Sequence, residues 1–167
     1  MEDVVISSAV RTPMGGFQGD LDSFSASELG GIAIEGAMEK AGITRVDEVI
    51  MGNVLGAGQG QAPARQAGFA AGLDETVPAT TLNKMCGSGM KAAMIGFDQI
   101  KLGKSQTLAV GGMESMSNAP YLLPKMRSGA RLGHGKVVDH MFLDGLEDAY
   151  EPGRLMGTFA EDCAEKY

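Results

Sequence analysis

The sequence predicts an α/β fold, in which a mainly parallel sheet is covered by helices on its faces. Three observations carry this prediction. Short β-branched runs alternate with segments of helical periodicity, the runs are continuously apolar, and glycine or proline separates one segment from the next. With 167 residues, 44% hydrophobic and 21% charged, the chain has the size and composition of one globular domain.

Four strands and three helices are predicted in the order βαβαβαβ. The strands are Val4–Val10, Glu48–Leu55, Val77–Leu82 and Thr107–Val110. The first helix begins after a capping box of Ser25 and Glu28, the second begins at Pro63, and the third spans residues 87–102. Each helix is followed by a glycine, at Gly42, Gly72 and Gly103. Functional sites in such sheets lie at the carboxyl ends of the strands.

The regular alternation stops near residue 116. Prolines, glycines, scattered charges and both histidines follow, which is typical of an irregular excursion from the sheet. We therefore predict a partial α/β domain over residues 1–116 and the beginning of a loop domain over residues 117–167. Thr158 with Glu161 predicts the start of a last helix. Because this helix lacks a stop signal, we expect the chain to be incomplete.

Charge and composition exclude several classes of partner. A net charge of -7 and a pI of about 4.8 argue against binding to nucleic acid or to an acidic membrane. No apolar stretch approaches the roughly 20 residues needed to span a bilayer, and Met1-Glu2-Asp3 lacks the basic start of a signal peptide. Two cysteines without zinc-ligand spacing predict no metal site. We expect a soluble, cytoplasmic protein.

Cys86 stands in the window NKMCGSGMK, between the third predicted strand and the third predicted helix. Unpaired N–H groups and the positive dipole end of a helix N-terminus favour a thiolate. The glycines that follow let a substrate carbonyl approach the backbone, where an amide can stabilise an oxyanion. This pattern suits acyl transfer to sulfur. The alternative is that Cys86 is a small buried apolar residue. Cys163 lacks such a setting and is predicted to pack within a helix.

The window around Cys86 resembles the acyl-enzyme motif of the thiolases, the acetyl-CoA acetyltransferases. Four further segments resemble thiolase sequence in the family's order: VVISSAVRTPMGGF, EVIMGNVLGAGQGQAPARQA, AVGGMESMSNAP and LMGTFAED. The resemblance covers essentially the whole chain. It implies a thiolase-like fold, of which this chain is the N-terminal portion with part of the loop domain.

In that family the motif cysteine takes an acyl group from a thioester, releases coenzyme A and is then attacked by a second substrate. The resemblance therefore implies an acyltransferase that condenses acetyl-CoA or thiolyses 3-oxoacyl-CoA, with Cys86 as the nucleophile. Acetyl-CoA or 3-oxoacyl-CoA and coenzyme A are the expected substrates, and no metal or other cofactor is expected. Fatty acid metabolism is the expected setting.

The resemblance extends to two residues and one segment outside the motif. Leu146 and Met156 match positions that line the coenzyme A and acyl pocket, the alternative being ordinary packing. The segment Pro120–Val138 resembles the tetramerisation loop, which implies a homotetramer built as a dimer of dimers; a solvated surface loop is the alternative. Leu155 stands where many short-chain biosynthetic thiolases have histidine. This apolar replacement argues against strict specificity for acetoacetyl-CoA.

The family's general-base histidine, second catalytic cysteine and water-positioning asparagine belong to later sequence. His134 and His140 do not match them and are predicted to be surface histidines. We therefore expect the chain alone to be inactive without the C-terminal remainder of the enzyme. Two other hypotheses stay open: a ketoacyl synthase, and a thiolase-like binding or assembly subunit in which Cys86 is unused.

Overall fold

The structure is a computed structural model that describes residues 3–167. The first two positions of the predicted 1–116 domain, Met1 and Glu2, lie outside the described residues. The chain forms two compact units, one running to Asn118 and the other covering Ala119–Tyr167. None of the helices within residues 3–167 has the length and apolar character that crossing a membrane requires.

Three helices of the first unit have the predicted order. They are α1 (Ala26–Ala41), α2 (Pro63–Ala70) and α3 (Ser88–Lys101). The predicted capping box is confirmed, because Glu28 N donates to Ser25 Oγ at 3.2 Å and Ser25 N donates to Glu28 Oε2 at 2.8 Å. The hydrogen bonds that Ser25 N and Ser25 Oγ donate to the Glu28 carboxylate hold the pKa of this carboxyl below its ordinary value. Gly42 ends α1 with a φ of 68°, a left-handed conformation that glycine adopts without strain.

The central sheet has three parallel strands, β1 (Glu48–Gly52), β2 (Ala79–Leu82) and β3 (Leu108–Gly112). Their order is β2-β1-β3, so that β1 is the central strand. At the carboxyl end, Gly52 pairs with Leu82 on one side and with Gly112 on the other. Parallel strands need crossover connections, and α2 and α3 lie within these connections. The predicted α/β class is therefore confirmed.

The two faces of β1 are covered by different helices. Val49 and Met51 belong to the apolar core that also contains Ile34 of α1 and Ala67 of α2. Side chains alternate along a strand, so Gly52 faces the opposite layer, where it lies against the first turn of α3. Burial on both faces explains why β1 is almost continuously apolar.

The first predicted strand is wrong. Residues 4–10 join no ladder within the described part of the chain, and Val5 and Ile6 are 75% and 86% exposed. A cavity of about 640 Å³, lined by this segment and by β3, lies between them. A strand needs a hydrogen-bonded neighbour about 4.8 Å away. The β-branched run has no such neighbour among residues 3–167, and the described order of the first unit is αβαβαβ.

The second unit contains few regular elements. They are β4 (Tyr121–Leu122), antiparallel to β5 (Val138–Asp139), a 3₁₀ helix over Met126–Ser128, a π-helix over Phe142–Leu146 and the helix α4 (Met156–Lys166). The predicted cap at Thr158 is wrong, because α4 begins two residues earlier with Leu155 as N-cap. The Thr158 hydroxyl instead donates to the Leu155 carbonyl oxygen at 2.8 Å. This local bond uses the hydroxyl inside the first turn.

Candidate functional site

Cys86 lies in the turn between β2 and α3, beyond the carboxyl end of the parallel sheet. Its side chain is exposed, which excludes the alternative of a buried apolar residue. Gly87 is the N-cap of α3, so Cys86 directly precedes the helix N-terminus. Gly87 offers no side chain to accept from the N–H groups of the first turn. The setting expected from the sequence is therefore present around this thiol.

The residue before the thiol has an unusual backbone conformation. Met85 has a φ of 50°, in the left-handed region that costs a residue other than glycine about 1–2 kcal/mol. Hydrogen bonds around the turn stabilise it: Met85 N donates to Asn83 Oδ1 at 2.9 Å, and Gly87 N donates to the Lys84 carbonyl oxygen at 3.2 Å. The turn thus presents Cys86 from a backbone that its neighbours hold in place.

Glycines at the strand ends let the N-terminus of α3 lie directly against the sheet. A Cβ added to Gly52 would lie 2.4 Å from Ser88 Cβ and 2.7 Å from the Ser88 carbonyl carbon. A Cβ added to Gly89 would lie 3.5 Å from Gly112 N. The first contact leaves no room for any side chain at Gly52. Close packing of β1 against the first turn of α3 therefore fixes the position of the Cys86 turn relative to the end of the sheet.

Glu114 ties the carboxyl ends of β1 and β3 together, a role that sequence reasoning missed. Its carboxylate accepts from Asn53 Nδ2 at 2.7 Å, from Val54 N at 2.9 Å and from Leu55 N at 3.0 Å. Asn53 is buried, and its Nδ2 also donates to the Met113 carbonyl oxygen at 3.3 Å. The sequence feature that could have indicated this role is a single carboxylate two residues after a glycine-rich strand, in the segment VGGMES.

Leu146 and Met156 both belong to the second unit, where the structure brings them close together. Glu147 and Leu155 form an antiparallel bridge. Because the pairing is antiparallel, the residues before Glu147 and after Leu155 occupy opposite positions at one end of that bridge. Leu146 is partly buried and Met156 is 42% exposed. Their assignment to a coenzyme A and acyl pocket stays a prediction.

The loop between these two residues is held by polar contacts. Arg154 pairs with Glu151 at 3.0 Å, pairs with Asp162 and lies over the ring of Phe159, with 3.6 Å from Cζ to the centroid. The hydrogen bond with Glu151, supported by the charges of both carboxylates, raises the pKa of the Arg154 guanidinium. Asp148 N donates to the Arg154 carbonyl oxygen at 2.8 Å, which closes the loop.

The prediction of surface histidines is confirmed for His134 and wrong for His140. His134 is exposed, whereas His140 is 6% exposed and its Nδ1 lies 2.5 Å from Asp144 Oδ2. The carboxylate of Asp144, four residues later, is the hydrogen-bond partner that makes burial of His140 possible. The spacing of this histidine and aspartate is the sequence feature that could have indicated burial.

Cys163 is exposed on α4, so its predicted packing role is wrong too. Over residues 3–167, no three His, Cys, Asp or Glu side chains are grouped to hold a metal ion.

Comparison with known protein families identifies the fold unit that carries this site. The family described as "Thiolase, N-terminal domain" matches residues 4–167. The chain belongs to the thiolase family. The resemblance seen in the motifs around Cys86 is therefore confirmed across nearly the whole chain.

The relatives of this thiolase chain are longer proteins. It is 52% identical to acetyl-CoA acetyltransferase from Pseudomonas aeruginosa, a match covering 100% of this chain and 43% of that protein. The acetyl-CoA acetyltransferase of Schizosaccharomyces pombe is 52% identical, over 99% of this chain and 42% of its own length. A cytosolic acetyl-CoA acetyltransferase of Gibberella zeae is 49% identical, over 98% and 42%. The chain thus spans less than half the length of these relatives.

Proposed function

We propose that the polypeptide carrying this thiolase domain is a coenzyme A dependent acyltransferase that forms or cleaves 3-oxoacyl-CoA through an acyl group on Cys86. The observation that carries the proposal is the exposed thiol immediately before the N-terminus of α3, at the carboxyl end of a parallel sheet. Three relatives named acetyl-CoA acetyltransferase support acetyl-CoA as a substrate.

In the first step the Cys86 sulfur, as a thiolate, bonds to the carbonyl carbon of the acyl thioester. The bond from that carbon to the coenzyme A sulfur breaks, and the departing sulfur keeps the electron pair and takes up a proton. One thioester replaces another of similar energy, so sulfur suits this step. In condensation, the carbanion of a second acetyl-CoA then attacks the acyl carbon and frees the Cys86 thiolate. In thiolysis, coenzyme A is the attacking group.

The described residues supply presentation of the thiol and a polar backbone next to it. The first turn of α3 has no capping side chain, although Ser88 N donates to the Met85 carbonyl oxygen at 3.0 Å. N–H groups at a helix N-terminus stabilise negative charge on sulfur or on a carbonyl oxygen. Gly87 and Gly89 keep side chains away from this backbone, so a thioester can approach it. The proposal assigns deprotonation of the second substrate to residues of the remaining polypeptide.

Thiolysis of acetoacetyl-CoA tests the proposal. In a full-length polypeptide that contains this chain, Cys86→Ser is expected to lower thiolysis to background, because the hydroxyl is a far weaker nucleophile at neutral pH. Cys163→Ser is the matched control, an exposed cysteine in the second unit, and is expected to retain activity. Full activity of the Cys86 variant would contradict the proposal.

The 167-residue chain alone is expected to show no thiolysis, and turnover at the full-length rate would contradict that expectation.

We further propose that the full-length protein is a homotetramer, a dimer of dimers in which Pro120–Val138 contributes contacts. Support comes from large apolar side chains exposed within this segment, among them Leu132 at 97% and Leu123 at 56%. The double substitution Leu132→Asp and Leu123→Asp should convert tetramers to dimers in sedimentation experiments, and an unchanged tetramer would contradict the proposal.

A cytoplasmic location and a role in fatty acid metabolism are also proposed. The location is proposed because one relative is named cytosolic.

A further inference from the structure

Ser88 is the first residue of α3 and lies two positions after Cys86. It is 5% exposed, one of few buried polar side chains in the described chain. Serine at the start of a helix commonly serves as a cap for the helix's own N–H groups. Here its hydroxyl points back to the preceding turn instead.

The Ser88 hydroxyl bridges the peptide groups on either side of the Lys84–Met85 pair. Its oxygen accepts a hydrogen bond from Lys84 N at 2.8 Å. Its proton is donated to the Met85 carbonyl oxygen at 2.5 Å. These contacts span the residue with a φ of 50° that directly precedes Cys86. The hydroxyl therefore stabilises the one left-handed residue of the turn that carries the thiol.

Contact with the sheet fixes the position of the Ser88 Cβ atom. The position that a Cβ of Gly52 would occupy is only 2.4 Å from Ser88 Cβ, so this side chain lies directly against the end of β1. A buried hydroxyl in such a place must use both its donor and acceptor capacity locally. The two bonds to the turn satisfy that requirement. The central strand, Ser88 and the Cys86 turn thus form one continuous set of contacts.

We propose that Ser88 is a positioning residue for acyl transfer to Cys86. By holding Met85 in its left-handed conformation, the hydroxyl keeps the Cys86 sulfur in front of the N-terminus of α3, where the thioester carbonyl is attacked. Ser88 acts through the backbone and does not touch the acyl group. The inference rests on the proposed function, because it assigns Cys86 as the acyl acceptor.

Rapid-quench S-acetylation of Cys86 by acetyl-CoA in the full-length polypeptide tests the proposal. Ser88→Ala keeps the Cβ against Gly52 and removes only the hydroxyl. The acetylation rate constant at saturating acetyl-CoA is expected to fall about tenfold or more, because misplacing a nucleophile lowers the rate strongly. The half-saturating concentration is expected to stay within about twofold. An unchanged rate constant, or an effect on half-saturation alone, would overturn the positioning role.

A second substitution separates positioning from a general loss of stability. Asparagine adopts the left-handed conformation far more readily than methionine. Met85→Asn in the Ser88→Ala background is therefore expected to restore a large part of the lost acetylation rate. A merely structural role for Ser88 predicts no such recovery. Absence of recovery would overturn the claim that the hydroxyl acts by holding Met85.

Alkylation with iodoacetamide distinguishes a failure of this inference from a failure of the proposed function. Mass spectrometry gives the rates at Cys86 and Cys163 in the same molecule, both of which are exposed. In Ser88→Ala the Cys86 rate divided by the Cys163 rate is expected to fall roughly threefold. The pH dependence of the alkylation rate is expected to change at Cys86 and to stay the same at Cys163. An unchanged ratio overturns the positioning role. A changed ratio without any S-acetylation of wild-type Cys86 overturns the proposed function alone.

Asn83→Ala is the variant to use if Ser88→Ala does not fold, as judged by circular dichroism. Asn83 is exposed and accepts from Met85 N at 2.9 Å, so its loss weakens the same turn without disturbing a buried side chain. A smaller fall in the same acetylation rate constant and alkylation ratio is expected. No change in either quantity would overturn the inference.

Discussion

The two units of this chain are stabilised by different interactions. The unit that ends at Asn118 has an apolar core built by β1, α1 and α2, and its strands end in glycines that allow backbone-to-backbone approach. In Ala119–Tyr167, Met141 is the only buried apolar side chain among the described residues. This second unit is instead connected by short polar contacts around His140, Asp148 and Arg154. The first unit should therefore respond most to changes in volume, and the second to loss of hydrogen bonds and charge.

The largest effect is expected at the glycine end of the central strand. Gly52→Ala places a Cβ 2.7 Å from the Ser88 backbone, which cannot move without displacing α3. We expect a loss of unfolding free energy of about 3 kcal/mol in urea titrations. Gly56→Ala is the matched control, because the nearest atom to an added Cβ there lies 3.8 Å away. Equal stability of the two variants would contradict the close-packing account of the first unit.

The next largest effect is expected at Glu114, the polar link inside the first unit. Glu114→Gln keeps the shape but replaces one carboxylate oxygen by a donor, so N–H groups of Asn53, Val54 and Leu55 compete for the remaining oxygen. A loss of about 2 kcal/mol is expected, since hydrogen bonds to charged groups are among the stronger ones. The exposed Glu39→Gln serves as control. Identical urea midpoints for both variants would show that the Glu114 carboxylate contributes nothing to the free energy of unfolding.

A more local effect is expected in the second unit at Arg154. Arg154→Ala removes the pairs with Glu151 and Asp162 and the stacking on Phe159. We expect faster amide hydrogen exchange at Asp148, whose N–H bonds to the Arg154 carbonyl oxygen, with no change in β1. Added salt should produce the same change more weakly in the wild type. Global destabilisation, or no change at Asp148, would contradict the proposed difference between the units.

The smallest effect is expected from pH at Asp47. Hydrogen bonds from Thr107 N and then Gln106 N lower the pKa of the Asp47 carboxyl from its ordinary value of 3.8. A depressed pKa in the folded state means that the stabilisation is present above pH 3.8 and is lost as pH falls through the folded value. Asp47→Asn should lower the melting temperature slightly at neutral pH and flatten its decline below pH 4. A parallel decline in wild type and variant would count against this contribution.

Sequence patterns predicted the first unit well where a local rule was sufficient. Ser25 with Glu28 marked the start of α1, Pro63 marked α2 and Gly103 marked the end of α3. Each of these signals depends on bonds or dihedral angles within a few residues. The fold class followed because the apolar runs and helices alternate.

Predictions failed where a distant partner decides the outcome. The β-branched run from Val4 to Val10 has strand propensity, but pairing depends on what lies beside it. In α3 the apolar residues Met90 and Phe97 are spaced seven apart, which by helical periodicity alone favours a side packed on the sheet, but they are 72% and 48% exposed. Instead Gly96 faces the sheet, where an added Cβ would lie 2.9 Å from Val110 Cγ1. Periodicity groups residues on one face, but close packing determines which face approaches the sheet.

In the candidate site, too, features set by neighbouring residues could be predicted and features set by distant partners could not. The thiol of Cys86 before a helix N-terminus could be predicted from one window of sequence, because strand, cysteine, glycine and helix follow one another. Ser88 and Glu114 were missed because most of their partners are backbone groups, whose positions depend on the folded turn and on β1. His140 was misplaced because its burial depends on Asp144 and on the packing of the second unit.

Mass spectrometry of the full-length polypeptide after incubation with acetyl-CoA, quenched in acid, tests most directly whether Cys86 is the acyl acceptor. The account predicts one acetyl group on the peptide containing Cys86, none on the peptide containing Cys163, and loss of the adduct in Cys86→Ser. Addition of coenzyme A should remove the label. An unmodified Cys86, or equal labelling of both cysteines, would contradict the account.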